Sequence, residues 1–246
     1  MANWNDTERT QGGFGSVPRA GGDTSGVKFD EGLRSYMLSI YNYMGAAVLL
    51  TGIVALFAAV SGITAMFLGT PLQWVIALAP LGFILAMSFG LNKMSYGTLQ
   101  IVFWSFAAVM GLSMSWIFLV YTGPSIALTF FATAGAFAGL SLFGYTTKKD
   151  LSGFGTFLIM GVVGLIIASI LNIFLQSGPL DFVISGLGVL IFAGLTAYDT
   201  QRLKDDYSHL RGTAFINKAV IMGATSLYLD FVNMFMFLLR FLGSRE

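Results

Sequence analysis

Beyond Arg34 the chain loses its charge for long intervals. No charged residue lies between Arg34 and Lys93, between Lys93 and Lys148, or between Asp150 and Asp181. A helix needs roughly 20 apolar residues to cross a bilayer, so each of the first two intervals holds two spans. Turn signals divide them: "GTP" at 69–71, "TGP" at 122–124 and "SGP" at 177–179. The pattern predicts seven helices, over 43–67, 72–91, 99–121, 125–145, 154–175, 182–203 and 219–242. These runs are continuous and show no two-residue alternation, which argues against a β-barrel. The expected fold is an all-α polytopic membrane protein with seven transmembrane helices.

Composition agrees. Of the 246 residues 56% are hydrophobic and 10% charged, against roughly 25% charged in soluble domains, and the mean hydropathy is +0.78. The net charge is +1 and no basic stripe runs along the chain, so nucleic acid is not an expected partner. There is no cysteine and one histidine, His209. That excludes disulfides, thiolate nucleophiles and Cys/His metal sites, and any metal must be a hard cation held by oxygens. Residues 1–34 are rich in Gly, Ser and Thr and bury too little to order themselves, so a flexible cytoplasmic tail is expected before a transmembrane domain at 35–246. The apolar stretch begins only near Tyr36, too late for a cleaved signal.

Basic residues set the orientation. The tail and the even-numbered loops carry eleven Lys and Arg, and the opposite side only Arg240 and Arg245. The positive-inside rule therefore puts the N-terminus in the cytoplasm. A last helix that dips in and returns would place Arg240 and Arg245 inside as well. Its length of about 24 residues favours a seventh full crossing.

All loops are short, so chemistry must lie between helices. An ionised carboxylate in mid-bilayer costs on the order of 3 kcal/mol on insertion scales, yet Asp199 in "GVLIFAGLTAYDTQRLK" and Asp230 in "SLYLDFVNMFMFLLR" sit in spans. Asp181, after a Gly-Pro turn, suits a helix start, and Asp205, Asp206 and His209 fall in a wet loop. Two carboxylates about 4 Å apart repel by roughly 4 kcal/mol at an effective dielectric of 20. Such a pair shares one proton, and without it offers oxygens to a divalent cation. Depth does not guarantee the contact. Asp230 lies 12 residues past Lys218, about 18 Å in at 1.5 Å per residue, whereas Asp199 is near the inner end of its helix. Alternatively each acid bonds hydroxyls or amides of its own helix, such as Ser226 and Asn233. "GAFAG" at 135–139 lets helices approach closely, and intramolecular packing is its expected use.

At these residues the chain resembles the transmembrane Bax inhibitor motif family, the Bax inhibitor-1 and YccA-like proteins. The resemblance rests on "AYDTQRLK", "LYLDFVNMFMFLLR" and "FGYTTKKDLSGFG", in this order and spacing. It implies two three-helix layers around a central C-terminal helix, and a pH-sensitive calcium leak in bacterial members. It places the family's aspartate pair on Asp199 and Asp230, as pH sensor and as oxygen ligands for a transported Ca²⁺. The arginine that latches an acid in some members has no counterpart inside the second helix here. Lys93 at that helix's inner end is the candidate substitute, with Arg202, Ser226 and Asn233 as supporting residues.

The expected function is a pH-gated cation leak channel, for Ca²⁺, in the inner (plasma) membrane of a bacterium, with the bilayer, Ca²⁺ and H⁺ as partners, no resident cofactor and no catalytic residues. The alternatives are a regulator that binds a membrane protease or other membrane partner without ion flux, and a proton-coupled transporter. An intramembrane aspartyl protease would need GxGD at its second acid and a PAL motif, whereas the chain reads "LYLD" and has no "PAL". A serine protease lacks a base, since the one histidine is in a loop.

Overall fold

The computed structural model describes residues 31–244. The expected flexible tail lies outside them up to residue 30, and residues 31–34 already belong to the first helix. Among the described residues the chain forms α1 (Glu31–Val60), α2 (Ile63–Phe67), α3 (Leu72–Gly90), α4 (Tyr96–Met114), α5 (Ile117–Val120), α6 (Gly123–Thr146), α7 (Ser152–Leu175), α8 (Gly178–Leu210) and α9 (Ile216–Leu242). Seven segments are long and apolar enough to cross a membrane, with α4 and α5 counted as one. The protein is an all-α, multi-pass membrane protein.

Helix ends follow local chemistry. Gly62 (φ 78°) turns the chain between α1 and α2 in a left-handed conformation that favours glycine. The α7 start is held by Asp150, whose carboxylate accepts from the Ser152 amide at 2.8 Å. Ser152's hydroxyl and amide together hold the Asp150 carboxyl below the usual carboxylate range. The cap of α8 is Ser177, which accepts from the Leu180 amide, with Asp181 inside the first turn. Asp181 thus sits at the helix start expected from the sequence, one turn inside the cap.

The first helix starts at Glu31, twelve residues before the predicted 43, and the boundaries at the α8–α9 connection also shift. The apolar pattern ends near 203, but α8 runs on to Leu210, and α9 starts at Ile216, three residues early. Gln, Arg, Leu and Lys of "QRLKDD" are good helix formers, so the helix outlasts the apolar run. α9 is one unbroken helix of 27 residues, with no re-entrant break.

α9 is the centre. Two thirds of its apolar window, 67%, is buried, against 11–39% for the six other spans. It packs on α8, α6 and α4; α3 packs on α4, and α6 and α7 on α8. Thr51 ties α1 into this arrangement. Its hydroxyl donates to the Ala107 carbonyl of α4 at 2.9 Å and accepts from the Tyr228 hydroxyl of α9 at 2.7 Å. The spans thus form two groups of three, α1/α3/α4 and α6/α7/α8, around the C-terminal helix.

Glycine marks the closest approaches. A β-carbon on Gly144 would strike the Ala197 carbonyl oxygen, and one on Gly155 the Tyr198 ring. Two of the sequence motifs, "FGYTTKKDLSGFG" and "AYDTQRLK", are therefore packed against each other. "GAFAG" does not do what was expected of it: nothing lies within 4 Å of a β-carbon at Gly135 or Gly139. The buried residues of α6 are Thr129, Thr133, Phe137, Ser141 and Gly144, and their helical spacing puts 135 and 139 on the outer face. Gly144→Leu is expected to destabilise by about 1–3 kcal/mol or more, while Gly135→Leu stays within about 0.5 kcal/mol. Thermal unfolding of the two variants in detergent checks this.

Candidate functional site

The site lies in the α8–α9 hairpin. Asp199 is 11 residues before the end of α8 and Asp230 is 14 residues after the start of α9, about 17 and 21 Å from the connecting turn at 1.5 Å per residue. The helix extensions beyond the apolar pattern bring the two acids to similar depth and remove the mismatch read from sequence. Both acids are buried, at 6% and 4% exposure. The two carboxyls are near enough to interact through charge and, when one is protonated, to share a hydrogen bond.

Helical spacing builds the rest. Arg202 follows Asp199 by three residues, and Ser226 precedes Asp230 by four, so each pair shares a helix face. The Arg202 guanidinium meets Asp199 Oδ1 at 3.2 Å and donates to Ser226 Oγ at 3.1 Å. Ser226 in turn donates to Asp199 Oδ2. Both Asp199 oxygens are thus occupied. Asp230 Oδ2 is buried with no hydrogen-bond partner. Ionised carboxylates only accept, so the Asp199–Asp230 contact becomes a hydrogen bond only when one of them carries a proton.

The other candidates divide. Asn233 donates to the Leu229 carbonyl of its own helix at 2.8 Å, away from the acids. Lys93 is exposed in the turn after α3, and among the described residues no ion pair joins it to either acid. The cation at the pair is Arg202. Ser226 bonds the acid of the opposite helix, not of its own.

Gln201 escaped the sequence reading. Its amide donates to the Lys149 carbonyl at 2.8 Å and its Oε1 accepts from the Leu151 amide at 2.8 Å, fastening the α6–α7 loop beside the acids. Lys204 donates to the Tyr145 carbonyl at 2.9 Å, and Thr200 Oγ1 lies 3.3 Å from Ser141 Oγ of α6. The signal was available in the run of polar residues after Asp199, which reads as a wet helix end and is in fact a set of clamps.

A cavity of about 360 Å³ reaches the site from the α8–α9 turn. Arg202 and Ser226 lie on its wall, with Tyr36, Asp206 and Phe215 nearer the turn. Among the described residues no three His, Cys, Asp or Glu come together. Two carboxyls and one hydroxyl fall short of the six to eight oxygens that Ca²⁺ takes.

The family described as "Inhibitor of apoptosis-promoting Bax1" matches residues 33–246. An inner membrane protein of Escherichia coli K12, YbhL, is 44% identical over 219 residues, covering 87% of this chain and 94% of its own. Uncharacterized proteins of Rickettsia prowazekii and Caulobacter vibrioides are each 46% identical, over 89% and 91% of this chain and 93% and 94% of theirs. The chain belongs to the Bax inhibitor-1 family. In this member the two motifs that bear the acids form one hairpin, and the third motif braces it.

Stability should report the donor shortage of this Bax inhibitor-1 site. Ser226→Ala removes a half-buried donor to Asp199 and is expected to cost about 1 kcal/mol. Asp230→Asn adds a donor toward Asp199 and is expected to raise the melting temperature by about 2–4 °C per kcal/mol gained. Lys93→Gln should leave it unchanged. Thermal unfolding at neutral pH distinguishes the three.

Proposed function

We propose that the chain is a pH-sensitive cation leak channel for Ca²⁺, gated by Asp199 and Asp230 acting as one proton-holding unit. The observation behind this reading is a pair of buried, interacting carboxyls on two helices, beside a cavity whose wall includes Arg202 and Ser226, the partners of Asp199. With one proton in common the contact is a hydrogen bond that ties α9 to α8. Without it, two charges about 4 Å apart repel by roughly 4 kcal/mol at an effective dielectric of 20. That approaches the roughly 5.5 kcal/mol needed to turn a 1:99 equilibrium into 99:1. The central, most buried helix is the moving part.

Arg202 occupies the place of a cation. A passing divalent ion competes with its guanidinium for Asp199 and the Ser226 oxygen. The name of the Escherichia coli relative supports an inner-membrane location, and the basic loops support a cytoplasmic N-terminus.

The test is Ca²⁺ uptake by liposomes holding the full-length protein, from about pH 6 to pH 8. A one-proton switch changes the ratio of states by up to about tenfold per pH unit. Flux of the natural sequence should follow that limit, and Asp199→Asn/Asp230→Asn should leave it nearly flat. Unaltered pH dependence in the double variant would place the switch elsewhere. No Ca²⁺ flux at any pH would favour the regulator.

A further inference from the structure

At the end of the bundle away from the α8–α9 turn, a cavity of about 430 Å³ lies where α5, α7, α8 and α9 finish or begin. Two opposite charges line it: Asp181, in the first turn of α8, and Arg240, in the last turn of α9. Each suits its helix end electrostatically. Helix ends do not account for both charges facing one open space. Among the described residues no ion pair or hydrogen bond engages either side chain. Trp116, Tyr121, Asn172 and Ile173 are among the other wall residues. Asn172 accepts from the Ser177 amide through Oδ1 at 3.0 Å, which leaves its Nδ2 to donate.

We propose that this cavity binds the zwitterionic headgroup of phosphatidylethanolamine, with the phosphate on Arg240 and the primary ammonium on Asp181. Guanidinium matches phosphate in a planar fork, and an ammonium brings N–H donors to a carboxylate. Amphipathic aromatic residues such as Trp116 and Tyr121 belong at headgroup level. The neighbouring Ile173, Phe174 and Phe182 are 63%, 81% and 58% exposed, a surface along which acyl chains continue. These outward apolar residues select a lipid over a soluble zwitterion. An anionic headgroup leaves Asp181 unmatched, and a choline headgroup has no N–H to give it.

Native mass spectrometry of the full-length protein, released from vesicles of equal parts phosphatidylethanolamine, phosphatidylcholine and phosphatidylglycerol, tests this. Retention of phosphatidylethanolamine over either competitor by about tenfold is expected, the worth of one charge-assisted hydrogen bond. Asp181→Asn should bring phosphatidylethanolamine and phosphatidylglycerol to parity, and Arg240→Gln should lower retention of both, with melting temperatures unchanged. Equal retention of all three lipids, or a preference untouched by Asp181→Asn, overturns the proposal. So does displacement of the lipid by soluble glycerophosphoethanolamine at equal concentration.

Discussion

Carboxyl oxygens taken out of water need donors, and between α8 and α9 there are too few for two ionised acids. Arg202 and Ser226 satisfy Asp199, while Asp230 keeps a buried oxygen with no partner. A proton held between the acids is the donor at hand, since ionised carboxylates only accept. The hairpin is therefore matched in one protonation state and mismatched in the other, which is the property of a two-state element that a proton can bias. A pair of apolar residues here would make a more stable bundle with nothing to titrate.

The surrounding structure confines that mismatch to one pair of helices. Gly144 and Gly155 let α6 and α7 close on Ala197 and Tyr198, directly before Asp199. Gln201 and Lys204, directly after it, fasten the α6–α7 loop and the end of α6. In the proposed gate, with α8 braced on both sides of its acid, repulsion falls on α9. On its other face α9 is held by the Thr51–Tyr228 hydroxyl contact, by Lys218 donating to the Leu91 carbonyl at 3.1 Å and by aromatic packing such as Phe106 on Tyr228.

Much of this was written in the charge pattern. Long uncharged intervals broken by Gly-Pro turns gave the seven spans, because a bilayer imposes a length that short loops cannot disguise. The two acids stood out because a carboxylate in an apolar run is costly. Their depth was misread, since apolar periodicity stops where lipid stops and a helix does not: "QRLKDDYSHL" continues α8 beyond it. The cation was misplaced for a different reason. Lys93 was sought at the inner end of the second span by analogy with the family, whereas Arg202 stood one turn from Asp199 all along. The outward turn of "GAFAG" could be read only after the buried face of α6 was known, because small residues mark close approach without saying to what.

The most direct measurement is infrared spectroscopy of carboxyl groups in the lipid-reconstituted protein over a pH series, for the natural sequence and for Asp199→Asn and Asp230→Asn. Two groups that hold one proton titrate as a unit. Either replacement should then alter the protonation signal of the acid that remains. Contradiction would come from additive behaviour, in which each replacement removes one carboxyl signal and leaves the titration of the other unchanged.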